Sequence, residues 1–238
     1  MQPNICCASR FTDLPPLHHE CDSEHCPLNI VSAVNDERLV AVFRDLQHFC
    51  RLMNAASLCA DRLRDTEFQE IVVSVQYRLL SLEGKTSTDL SECLRLSMLV
   101  FLTTAFQVPG TKSSYPHLAH RLQHSLMILK AEPVARYIVM WMLVMVAVSI
   151  YRGDEPWLVE KWKMSVPQAL PWRDARKRLQ EIMWINAIHD RPGECAYNMI
   201  SKKVAGSETV PCGVGSSPVD STGSEGRMLP PILRRDRF

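Results

Sequence analysis

The sequence predicts an all-α protein, an antiparallel helical array lying between two disordered tails. Apolar residues recur at three- and four-residue spacing in successive stretches, each bounded by Pro, Gly or a capping residue. No stretch alternates apolar and polar residues with a period of two between turn signals, as a half-buried strand would. The composition, 46 % hydrophobic and 22 % charged over 238 residues, supports one domain with a core. Three parts follow: a poorly ordered segment at 1–30, a helical domain at 31–200 and a disordered tail at 201–238.

Pro3, Pro15, Pro16 and Pro27 interrupt residues 1–30, where apolar side chains are sparse. Asn35 or Asp36 then caps a helix whose stripe is Leu39, Val42, Phe43, Leu46, Cys50 and Met53. A second helix starts near Asp65, carries Phe68, Ile71, Val72, Val75, Leu79 and Leu82, and stops at Gly84. Asp89 and Glu92 have capping-box spacing and open a helix to Phe106 that is apolar nearly all round, hence central.

Pro109 and Gly110 break the chain, and Pro116 starts a helix with Leu118, Leu122, Leu126 and Leu129 on one side. Pro133 opens and Gly153 closes a strongly apolar helix. Pro156 starts a short segment around Trp157–Met164, and Pro171 a longer helix over Trp172–Asp190 that Pro192 and Gly193 end. From Ser201 the run GSETVPCGVGSSPVDSTGSEG is too rich in Gly, Ser and Pro to bury a core. The predicted core holds Leu96, Leu99, Phe101, Trp141, Leu143, Val146, Ile182 and Ile185.

Composition narrows the function. Lys plus Arg number 27 against 26 for Asp plus Glu, a net charge of +1, without the basic excess that direct nucleic-acid binding needs. Nine cysteines without a preceding secretory signal, several of them inside apolar stripes, point to a reducing intracellular compartment. Tyr137–Tyr151 is continuously apolar, but Arg136 and Arg152 bracket it. A span needs about 20 apolar residues, so the segment is a core helix and no membrane is involved.

The candidate chemistry is thin. Cys6, Cys7, His18, His19, Cys21, His25 and Cys26 are potential zinc ligands, but Cys21 and Cys26 are five apart and no second pair matches them. His117, His120 and His124 share a helix face opposite the leucines, where they form its solvated side. Ser216 and Ser217 lie in the Gly/Ser tail without a nucleophile elbow. Glu67 with Glu70, and Asp154 with Glu155, suit helix starts and their dipoles. Arg173, Arg176, Lys177 and Arg178, and then Arg234, Arg235 and Arg237, are basic runs suited to nuclear import or an acidic partner, or simply to a solvated surface. No catalytic, cofactor-binding or metal residue is assigned, and the chain is not read as an enzyme.

Three segments carry a resemblance. They are Ser91-Glu92-Cys93-Leu94-Arg95-Leu96-Ser97-Met98-Leu99-Val100-Phe101-Leu102, Tyr137–Ile150 with Trp141 and the following Trp157-Leu158-Val159, and Pro171-Trp172-Arg173-Asp174-Ala175-Arg176-Lys177-Arg178-Leu179 continuing through Trp184 to His189-Asp190. In that order they resemble the regulatory domain of fungal binuclear-zinc-cluster transcription factors, over roughly Asn35 to Met199. The resemblance implies an all-α regulatory domain in the nucleus with transcription factors or coregulators as partners, and a small-molecule effector as a further ligand class. The family's C-x2-C-x6-C zinc cluster has no match here, and Met145-Val146-Ala147-Val148 replaces its small, Gly-containing stretch. The chain is therefore expected to act through partners or as a fragment of a larger factor, without its own DNA contact. A helical interaction scaffold unrelated to transcription is the alternative.

Overall fold

A computed structural model describes Val34 and residues 36–59, 65–105, 115–130, 136–151, 153–167 and 170–207. Segments 1–30 and 208–238 lie outside the described residues. The described chain forms eight α-helices and no strand: α1 (Glu37–Cys59), α2 (Asp65–Ser81), α3 (Asp89–Ala105), α4 (Pro116–Ile128), α5 (Arg136–Ser149), α6 (Pro156–Ser165), α7 (Trp172–Ile182) and α8 (Asn186–Ser207).

Local chemistry accounts for most boundaries. Asp36 caps α1, its Oδ1 accepting the N–H groups of Arg38 at 3.1 Å and Leu39 at 3.4 Å. Pro116 and Pro156 sit in the first turns of α4 and α6, where a missing N–H costs nothing. Gly84 and Gly153 close α2 and the α5–α6 link with φ of 68° and 84°, a region where a Cβ is strained. The cap of α3 differs from the expected Asp89–Glu92 box. Thr88 supplies it, its Oγ1 accepting the Ser91 N–H at 3.1 Å, because Glu92 is turned toward arginines instead.

The interior is built around α5, in which every residue from Ile138 to Ala147 is buried. It packs on α3, α6, α7 and α8, while α2 lies between α1 and α3. The Asp45–Arg78 ion pair joins the first half of α1 to the last turn of α2 and makes that pair antiparallel. Each large apolar side chain fully withdrawn from water contributes about 1.5–3 kcal/mol, so an all-round apolar helix is stable only at such a centre. No helix among the described residues is long and apolar enough to cross a membrane. Of the predicted core, Leu96, Phe101, Trp141, Leu143, Val146, Ile182 and Ile185 are buried, and Leu99 is partly buried against them.

The C-terminal end departs from expectation twice. The helix predicted over Trp172–Asp190 stops at Ile182, and α8 begins at Asn186 after a buried corner, Met183–Ile185. Pro192 and Gly193 do not end it: α8 runs through both to Ser207, past the expected boundary at 201. Ile200 and Val204 are buried, which ties this last stretch to the core.

Candidate functional site

Two buried polar assemblies dominate the interior, and both serve helix ends. In the first, Arg95 on α3 is 1 % exposed. Its Nε and Nη2 donate to the two carboxylate oxygens of Glu92, both at 2.7 Å, while Nη1 donates to the Leu79 carbonyl in the last turn of α2 at 3.1 Å. Glu92 also accepts from Thr86 at 3.2 Å and from Arg121 on α4 at 2.8 Å, and Arg121 pairs with Glu83 as well. Burial opposes ionisation of Glu92, but the hydrogen bonds and charge of Arg95, with Thr86 and Arg121, hold its carboxyl below the usual range. One guanidinium thus closes α2 while its counter-ion ties α3 to α4.

The second assembly surrounds the α7–α8 corner. Trp141 Nε1 donates to the Met183 carbonyl at 2.7 Å, and Asn54 Nδ2 to the Trp184 carbonyl at 2.8 Å. Asn54 Oδ1 accepts the Asn186 N–H at 2.8 Å, and Gln47 donates to the Glu181 carbonyl at 2.9 Å. The Ile185 N–H donates to Nδ1 of His189 at 3.0 Å. That bond makes Nδ1 an acceptor, so Nε2 carries the proton and donates to Thr104 Oγ1 at 2.8 Å. Thr104 in turn donates to the Phe101 carbonyl at 2.6 Å. Burial drives the His189 pKa down to about 3, so the ring is neutral with both nitrogens in use.

An aromatic tier flanks the corner. Trp172 meets Trp184 at 6.2 Å between ring centroids and Tyr197 at 5.5 Å, and Tyr197 meets Trp162 at 5.2 Å. Trp184 Nε1 donates to Asp190 at 2.8 Å, and Arg176 clasps the same carboxylate at 2.9 and 2.7 Å. Burial disfavours the Asp190 charge, but the bonds from Arg176 and Trp184 outweigh it and lower its pKa.

Lys161 on α6 repeats the capping theme. It is 4 % exposed, and its Nζ donates to the carbonyl of Leu129 at the C-cap of α4, a favourable place for a cation. Burial lowers its pKa, and burial pushes the neighbouring Cys93 thiol up to about 12, far from a reactive thiolate. Burial likewise raises Cys50, beside the Trp184 backbone.

The residues singled out from sequence are not gathered into one place. His117, His120 and His124 are all exposed on α4, opposite buried Leu122 and Leu126. Glu70 is exposed; Glu155 accepts the Gly153 N–H at 2.9 Å at the start of α6, and Asp154 lies 4.0 Å from Lys203. In the α7 basic run, Arg176 is held by Asp190 and Arg178 pairs with Glu181 and lies over the Tyr137 ring, leaving Arg173 and Lys177 exposed. The N-terminal Cys/His group, Ser216, Ser217 and Arg234–Arg237 lie outside the described residues. Among the described residues no group of three His, Cys, Asp or Glu side chains is placed to hold a metal ion. Asn54, Gln47 and Lys161, none of them marked by the sequence reading, each donate to the backbone of a neighbouring helix end. Their only signal was a polar side chain inside an apolar stripe.

No family model, no curated protein and no solved structure matches this chain. Fold and interior together define a helical array whose buried polar side chains serve neighbouring helix ends.

Proposed function

We propose that this chain is a regulatory helical domain of the transcription-factor type, acting in the nucleus through protein partners. One observation carries the reading. The three sequence segments that resemble such domains, far apart in the chain, converge on one another in the core. Phe101 of the first lies 6.4 Å from the Trp141 ring of the second and 5.2 Å from the His189 ring of the third. Trp141 donates to Met183, and Thr104 on α3 is bonded to His189. Their packing against one another supports reading the three segments as parts of one module. With a net charge of +1, any action on DNA would pass through a partner.

The test is a reporter assay with the full chain fused to a foreign DNA-binding domain. Transcription from the reporter should rise or fall when the nuclear extract contains native partners. A fusion that is folded, nuclear and without effect in either direction would sink the proposal. Exclusive cytosolic localisation of the untagged chain would do the same and favour a general interaction scaffold.

A further inference from the structure

The solvent face of α4 is rich in histidine. His117, His120 and His124 are exposed there, opposite buried Ala119, Leu122 and Leu126, and they are three of the chain's eight. None of the three makes a hydrogen bond or an ion pair among the described residues. Solvation alone is served as well by Glu, Lys or Gln, which form helices more readily than His.

Spacing decides which of them act together. His120 and His124 are one turn apart, which sets their Cβ atoms about 5–6 Å from each other on the same face. Two imidazoles at that spacing can each place a nitrogen about 2.0–2.1 Å from one ion held in front of the turn, as the His pairs of helical zinc sites do. His117 is the poorer member. It stands in the first turn of α4, just after Pro116, where the helix dipole repels a cation, and about 10 Å along the axis from His124.

The surroundings restrict the ion. α4 has neither Asp nor Glu, so it lacks the carboxylates on which Mg²⁺ and Ca²⁺ sites are built. Imidazole suits Cu²⁺, Ni²⁺ and Zn²⁺. Arg121, the cation next to His120, is turned toward Glu83 and Glu92, whose carboxylates offset its charge.

We propose that His120 and His124 form a two-histidine chelate for a divalent transition-metal ion of the Cu²⁺, Ni²⁺ and Zn²⁺ class. The chain supplies two ligands and water the rest, so the ion exchanges readily and the fold does not depend on it. The second imidazole binds from a fixed position beside the first, which raises the affinity well above that of a single surface histidine.

Ni²⁺ titrated into the full chain, followed by the NMR signals of the histidine rings, tests this. These signals report each ring separately, so ions taken up elsewhere on the chain do not obscure the site. The paramagnetic ion should broaden the His120 and His124 signals together and saturably. His120→Gln and His124→Gln should each weaken binding at the remaining ring by about tenfold or more, whereas His117→Gln should stay within about threefold of the parent. All three side chains are exposed, so thermal melts of the metal-free variants should match the parent. Three results overturn the proposal: both rings unmoved by millimolar Ni²⁺, parent affinity in His124→Gln, or a loss in His117→Gln as large as that in His124→Gln.

Discussion

The Arg95 cluster and the α7–α8 corner solve one problem by opposite means. Each must satisfy backbone groups left over at helix ends deep inside the protein. The Arg95 cluster does so with full charges, one guanidinium on the Leu79 carbonyl and one carboxylate shared between Arg95 and Arg121. The corner uses neutral donors and acceptors, Asn54, Gln47, Trp141 and His189, with the Arg176–Asp190 ion pair at its rim. Charges hold two helices firmly but depend on every partner staying in place. Neutral groups are less costly to bury and break one bond at a time.

The largest expected effect comes from breaking the ionic side. Arg95→Ala leaves a cavity, an open Leu79 carbonyl and a half-paired Glu92, and should cost about 3–5 kcal/mol in urea unfolding. Arg95→Met with Glu92→Gln removes both charges, keeps the volume, and should cost clearly less. A loss under about 1 kcal/mol for Arg95→Ala would show that the cluster contributes little and that the contrast is false.

Acid separates the two regions by where stability begins to fall. His189 stays neutral in the fold down to about pH 3, whereas the same ring in the unfolded chain takes a proton near 6.5. Below pH 6.5 the unfolded state binds the extra proton, so stability falls by about 1.4 kcal/mol per unit, or about 2 kcal/mol by pH 5. Glu92 behaves differently: its folded pKa is depressed, so the stability it adds is complete above its ordinary 4.5 and is lost below that. Asp190 follows the same rule from 3.8 downward. Unfolding free energy measured at intervals from pH 7 to 4 should show the earlier slope, and His189→Gln should flatten it between 6.5 and 5. A slope unchanged in that variant would place the titrating group elsewhere.

How much of this was legible in the sequence follows the same divide between local and distant causes. Asp36, Pro116, Pro156 and Gly84 act on their own neighbours, and the stripes they bound were readable. The all-round apolar character of Tyr137–Ile150 was enough to mark α5 as a core helix, although the helix expected at the centre was α3. The corner was not readable, because Met183, Trp184 and Ile185 contain neither Gly nor Pro. The break is held by Asn54, 130 residues away in sequence, and by Trp141. Pro192 and Gly193 misled for the complementary reason. Read locally they stop a helix, but α8 carries both, and at Gly193 a side chain would collide with the Trp184 ring. Nor did anything in the pattern reveal that Arg95 and Lys161 would be caps, since their acceptors belong to other helices.

Gly193→Ala probes that last requirement with a smaller effect. A Cβ there would come within 2.7 Å of Trp184 Cζ2 and 3.4 Å of Trp172 Cη2, so the rings must shift or α8 must move out. The better helix former should therefore destabilise, by about 1–3 kcal/mol, with a change in tryptophan fluorescence. Alanine is normally favoured over glycine inside a helix by about 1 kcal/mol. A stabilised Gly193→Ala would mean that the corner is loosely packed and the neutral assembly is not a fixed clamp.

Ser97 provides the smallest effect and the sharpest control. It lies on α3, one turn beyond Cys93, and its hydroxyl is buried without a hydrogen-bond partner. Both assemblies already have their own donors, so this oxygen closes neither of them. Removing a buried, unpaired hydroxyl takes away a desolvation cost and leaves only a methyl-sized change in volume. Ser97→Ala should then lie within about 1 kcal/mol of the parent or slightly above it, with the same pH profile. A loss as large as that of Gly193→Ala would show that Ser97 holds a partner such as an internal water. In that case the two assemblies would be joined through α3, and the contrast between a charged and a neutral region would give way to one continuous polar network.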